Sequence, residues 1–216
     1  PLHEFLPQSE AQISSLARDM NWGFVELRAK VGQLHESNPM LGHRGCRLGI
    51  TYPEIYEMQV QAIFEAACNV KKEGIDARPE VMIPLVGTVA ELSITREMAE
   101  RIALKTLAEA GVEIPVIVGT MIEIPRAALV ADKIAEVAAF FSFGTNDLTQ
   151  LTFGYSRDDA GSFLPDYVEK KILARDPFVS IDQEGVGQLV RIGTERGRSA
   201  NPRLKVRICG EHGGEP

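Results

Sequence analysis

Two acids, Glu123 and Asp147, come directly behind apolar runs of strand length, IPVIVGTMI before the first and AAFFSFGTN before the second. One helix's worth of sequence separates the runs, so they are expected to be neighbouring strands that carry both carboxylates to one rim. Convergent carboxylates suit a hard cation, Mg2+ or alternatively Mn2+, because these ions take oxygen ligands and leave positions open to water or substrate oxygens. Taken singly, either acid serves equally well as a cap on the helix that follows its strand. Within the stretch Gly144, Thr145, Asn146, Asp147, the glycine lets a ligand approach the backbone, and Asn146 offers an amide that both donates and accepts. The plain alternative for these four residues is a tight turn.

The opposite charge comes from Arg44, flanked by glycines in GHRGCR, and from Arg157, ten residues beyond Asp147 in YSRDD. Guanidinium groups bind phosphate and carboxylate oxygens in forked geometry, so an anionic substrate bridging a metal and these arginines is physically sensible. Most arginines are nonetheless solvated surface. His43 and His212 could serve in proton transfer, though a lone histidine is more often structural, and Cys46 and Cys209 are read as small packing residues in or beside apolar runs. The sequence has no glycine-rich phosphate loop of the P-loop type.

The elements that must position these side chains alternate between strand and helix. Residues 8 to 36 carry helical spacing. Thr51 and Glu54 have capping spacing ahead of a helix whose expected apolar face is Ile55, Met58, Ala62, Ile63, Ala66, Ala67 and Val70, with Gly74 to stop it. Thr88 and Glu91 repeat the spacing before a helix ended by Gly111, Pro125 opens a third, and a fourth surrounds Val186, Leu189, Val190 and Gly193. Five strands are expected, around residues 43 to 50, 80 to 86, 115 to 123, 138 to 144 and 204 to 210. Strands apolar throughout are buried on both faces, which points to a parallel α/β sheet with its ligands at the strands' carboxyl ends.

Composition narrows the partners. The 216 residues, 44% hydrophobic and 25% charged, fit one globular domain or a large part of one. A net charge of -7 argues against nucleic acid or an anionic membrane as partner. Three scattered cysteines suggest neither a disulfide framework nor a zinc site, and a reducing, cytoplasmic setting fits. No apolar run approaches the ~20 residues of a membrane span. Both ends, PLHEFLP and GEHGGEP, look cut from something longer.

Four strings, NPMLGHRGCRLGITYPEIYEMQ, GTMIEIPRAAL, FFSFGTNDLTQLTFGYSRDDAG and RICGEHGGEP, together resemble the C-terminal phosphoenolpyruvate-binding barrel of the pyruvate, phosphate dikinase family of PEP-utilizing enzymes. The likeness covers essentially the whole chain. The E-I-P and G-T-N-D-L-T-Q skeleton also occurs in phosphoenolpyruvate synthase and in enzyme I of the sugar phosphotransferase system, which stand as alternatives, as does a non-catalytic PEP- and metal-binding module. The resemblance implies a (β/α)8 TIM barrel, here a single truncated domain over residues 1–216 that lacks the first two strands and the last. It implies that Glu123 and Asp147 hold Mg2+, that Glu123 and Gly144 to Asp147 bind substrate, and that Arg157 and Arg44 are active-site arginines. It further implies two barrel arginines before residue 1 and a proton-donating cysteine beyond residue 216. The implied reaction converts pyruvate, ATP and phosphate to phosphoenolpyruvate, AMP and pyrophosphate through a phosphohistidine. The phosphohistidine and ATP-grasp domains of a homodimeric parent would be the partners, in the cytoplasm or, in a plant, the plastid. The isolated chain is expected to be inactive.

Overall fold

The computed structural model describes residues 2–214. It divides into two compact units, residues 1–45 and 46–216.

In the first unit the expected helical stretch is two helices, α1 (Glu10–Asp19) and α2 (Phe24–Leu34). Asn21, at φ 54, breaks the run between them. Ser9 caps α1 reciprocally with Gln12. Ile13, Ala17 and Leu27 form this unit's small core, flanked by Leu16, Phe24 and Val31.

The second unit holds α3 (Cys46–Thr51), α4 (Pro53–Lys72), β1 (Glu80–Ile83), α5 (Val89–Ala110), β2 (Ile117–Ile122), α6 (Pro125–Leu129), α7 (Ala131–Ala135), β3 (Phe140–Gly144), α8 (Thr145–Phe153), α9 (Leu164–Glu169), α10 (Val186–Ala200) and β4 (Lys205–Cys209). All strand pairs are parallel, in the order β1-β2-β3-β4. Each strand therefore lies beside its predecessor in the chain, with no reversal of the kind that defines a doubly wound sheet. α10 covers β3 closely: a Cβ at Gly197 would meet Phe141 Cε2 at 2.7 Å, and one at Gly193 would meet Phe143 at 3.0 Å. Glycine is what lets this helix approach two buried phenylalanines.

Local signals set several boundaries. Thr88 accepts from the Glu91 amide (3.2 Å) while the Glu91 carboxylate accepts from the Thr88 amide (2.8 Å), completing the capping box of α5, and Gly111 ends that helix at φ 64. Pro125 opens α6, but Val130 breaks the expected single helix into α6 and α7.

Three expectations are corrected. Residues 43 to 50 are not a strand, so the described residues contain four strands rather than five: Gly45 turns at φ 57 and Cys46 opens α3. The two buried positions of α3, Cys46 and Gly49, are three apart, the helical interval, and a short apolar run is compatible with either state until packing decides. Here the Cys46 amide donates to Pro84 O (3.1 Å), and the Tyr56 ring leaves no room for a Cβ at Gly49. In α4 the buried stripe is Val60, Phe64, Ala67 and Cys68, while Met58 and Ile63 are exposed; both stripes have helical spacing, and contact with α5 selects between them. Finally, β4 is not buried on both faces. Only β3 is buried at every residue, whereas Lys205, Arg207 and Ile208 of β4 are exposed, because β4 has no neighbour beyond it among the described residues.

Candidate functional site

The parallel order places the carboxyl ends of β2, β3 and β4 side by side. Glu123 follows β2 immediately and is 3% exposed. A buried carboxylate needs partners. Its Oε1 accepts from the Leu85 amide at 2.6 Å, across from the turn that follows β1. Its Oε2 lies against Gly144: a Cβ there would collide with Oε2, and would stand 2.6 Å from Met121 Cε and 2.9 Å from Glu123 Cβ. Glycine at the end of β3 is thus required for the carboxylate to lie where it does. Glu123 and Gly144 are brought into contact.

β3 passes directly into α8, whose first residues are Thr145, Asn146 and Asp147. The preceding Gly144 contributes no side-chain cap, so the positive end of this nine-residue helix opens at the rim. Thr145 is fully buried and its hydroxyl donates to Cys209 O (3.1 Å), tying α8 to the end of β4; its amide is what it has to offer a ligand. Asn146 Oδ1 is buried and accepts no hydrogen bond among the described residues. It lies at the turn after β4, where a Cβ on Gly210 would come within 3.5 Å of it. Asp147 is half-buried in the same first turn.

The oxygen-bearing side chains at these carboxyl ends are the Glu123 carboxylate, Asp147 one strand over, and the orphaned Asn146 Oδ1 between β3 and β4. Such donors fit Mg2+ or Mn2+ and not a sulfur-seeking metal. Among the described residues no three His, Cys, Asp or Glu side chains converge. A hexacoordinate ion held by two carboxylates would fill its other positions with water or substrate oxygens.

Arg157 lies in the loop after α8. Its amide donates to Gln150 Oε1 (2.7 Å) and its guanidinium pairs with Glu211, just beyond β4. A stacked and edge-on cluster of Phe153, Tyr155, Phe163 and Tyr167 orders this excursion. Arg44 belongs to the other unit, half-buried between Gly42 and Gly45. His212 is 5% exposed and its Nε2 lies 3.0 Å from Pro177 O, a structural placement.

Sequence reasoning passed over one contributor, the Leu85 amide on Glu123. Cys209, read as a packing residue, is half-buried at the end of β4, opposite Gly144 in the register, with Sγ 3.3 Å from Phe143 O. Cys46 and Cys68 are buried elsewhere. The Leu85 amide carried no signal, since a backbone group is invisible in residue types.

Residues 10–216 match the model of the PEP-utilising enzyme family's PEP-binding domain. The chain belongs to the PEP-utilising enzymes. Within that family it is 57% identical over its whole length to pyruvate, phosphate dikinase of Clostridium symbiosum, covering 25% of that protein. It is 59% identical to pyruvate, phosphate dikinase 1, chloroplastic, of Oryza sativa subsp. japonica, covering 23% of it, and 58% identical to pyruvate, phosphate dikinase of Rhizobium meliloti (strain 1021), covering 24%. The chain thus spans about a quarter of the length of these relatives. No helix among the described residues is long and apolar enough to cross a membrane.

Proposed function

We propose that this chain forms the phosphoenolpyruvate/pyruvate site of a pyruvate, phosphate dikinase. The four-strand wall is then part of a (β/α)8 barrel whose remaining strands belong to the parent chain. The observation that carries the reading is the buried Glu123 carboxylate pressed against Gly144, beside an unsatisfied Asn146 Oδ1 at an uncapped helix start. Buried charge and unpaired buried acceptors are costly, and a site that binds ligand is where such costs persist.

Glu123 and Asp147 would hold Mg2+, or Mn2+, which when bound neutralises charge on the enolate and phosphoryl oxygens. The α8 amides face the substrate's carboxylate or phosphate, with the helix dipole favouring that negative charge. Asn146 orients the substrate through its carboxamide. Arg157 exchanges Glu211 for the transferring phosphoryl group, a fork suited to three equatorial oxygens. Interconverting pyruvate and its enolate also moves a proton at the methyl carbon, a step the family resemblance gives to a cysteine that none of Cys46, Cys68 and Cys209 matches. Arg44 is proposed as an active-site arginine on the family resemblance alone. The phosphoryl group comes from a phosphohistidine of the homodimeric parent, itself charged from ATP and phosphate, in the cytoplasm or in a plastid.

Calorimetry with Mg2+ and oxalate, an enolate mimic, tests the reading on the full-length parent. Glu123→Gln is expected to weaken oxalate binding by at least about tenfold, as loss of a charged ligand should. Unchanged binding refutes the assignment.

A further inference from the structure

The turn between β1 and α5 contains a buried residue in a conformation that L-amino acids avoid. Leu85 has φ 58 and is 4% exposed. Among the described residues the other non-glycine positions with positive φ, Asn21 and Lys171, are both exposed. In this region Cβ crowds the backbone carbonyl, so a core leucine there must be held by its surroundings.

The surroundings are specific. The Leu85 amide donates to Glu123 Oε1 at 2.6 Å, the short length of a bond to a charged acceptor. Its carbonyl accepts from Cys46 Sγ (3.3 Å), and Pro84 O accepts from the Cys46 amide (3.1 Å). Burial pushes the Cys46 thiol up to about 12, so it stays protonated and able to donate. Further along the turn, Gly87 O accepts from Arg126, and the Gly87 and Thr88 amides donate to Glu91 Oε2. The turn is fixed at each of these points, and the amide it presents to the mouth is that of Leu85.

We propose that Leu85 is a positioning residue for Glu123: its left-handed backbone aims an amide that anchors Oε1 and thereby leaves Oε2 directed at Gly144 and the rim. The inference rests on Glu123 being a ligand in the proposed site. It yields an ordering that side-chain packing alone cannot. Glycine at 85 removes the whole side chain but adopts positive φ freely, so the amide stays aimed. Alanine removes less, yet keeps the Cβ that disfavours this conformation while losing the buried anchor that enforces it.

The test measures Mn2+ binding in the presence of oxalate by electron paramagnetic resonance, in the full-length protein that carries this chain. Leu85→Ala is expected to weaken binding about tenfold or more, the range for losing an outer-sphere partner, and Leu85→Gly by less than about threefold. Glycine equal to or weaker than alanine overturns the positioning role. If either variant does not fold, an ester in place of the residue 85 amide deletes the donor and keeps the leucine side chain. A roughly tenfold loss then supports the inference, and unchanged binding overturns it. Glu123→Gln is measured alongside. A Mn2+–oxalate site absent from the unmutated protein, or insensitive to Glu123→Gln, overturns the reading of the site itself and the inference with it. A site sensitive to Glu123→Gln but showing the packing order overturns the Leu85 role alone.

Discussion

Gly144→Ala is a single-methyl probe of the candidate site. Gly144 has φ -85, an ordinary value for any residue, so alanine meets no backbone penalty and would gain about 0.4–1 kcal/mol from a less flexible unfolded chain. The methyl, however, would stand 2.6 Å from Met121 Cε and 2.9 Å from Glu123 Cβ, and would overlap Glu123 Oε2. Ordinary carbon contacts begin near 3.5 Å, so the neighbours must move by about 0.5–1 Å. Overpacking of this size costs about 1–3 kcal/mol, at least as much as the unfolded-state gain. Net destabilisation of up to about 2.6 kcal/mol is expected, read from urea unfolding. The larger effect falls on binding: displacing a ligand carboxylate by about 1 Å should weaken Mg2+–oxalate affinity by about a hundredfold. Adding Met121→Ala relieves one of the clashes and should recover part of the stability but not the affinity, because the Glu123 contacts remain. A Gly144→Ala protein with normal stability and oxalate affinity within twofold of the parent would refute the packing argument and, with it, the claim that glycine is there to make room for the carboxylate.

Thr88→Ala removes half of the α5 capping box and should cost about 1 kcal/mol, a fall in melting temperature of about 2–4 °C by calorimetry. Glu80, on β1, pairs with Arg207 and Lys205 of β4 across the sheet, and the Arg207 hydrogen bond holds its carboxyl below the usual range. A depressed folded-state pKa stabilises above the unfolded value of about 4.3, and the contribution disappears as pH falls through the folded value. Glu80→Gln should therefore be less stable than the parent at neutral pH, with the difference vanishing in acid; an equal difference at pH 7 and pH 3 would contradict this. Iodoacetamide should modify half-buried Cys209 well before fully buried Cys46; mass mapping of the alkylated peptides decides it. Without the rest of a parent chain, the isolated 216 residues should show no pyruvate-dependent turnover in a spectrophotometric assay.

Strands β1 to β4, helices α4, α5 and α10, and the carboxyl-end placement of Glu123 and Asp147 were legible in the sequence, because each rests on local information. Apolar runs of strand length, the Thr88–Glu91 capping pair, Pro125 at a helix start and Gly111 at a helix end act within a few residues of themselves. Where two local readings were equally good, tertiary contact decided. Residues 46 to 51 became a helix because Cys46 docks on Pro84 and Leu85, and α4 buried Phe64 instead of Ile63 because α5 covers that side. The site's fine geometry was likewise beyond the sequence: the Leu85 amide on Glu123, the Thr145 hydroxyl on Cys209 O and the closeness of Gly144 to Glu123 join residues from 21 to 64 positions apart. Residue types can nominate a carboxylate and a glycine, but which backbone group meets them depends on the register of parallel strands and the path of the turns between them, and those are fixed only when the sheet assembles.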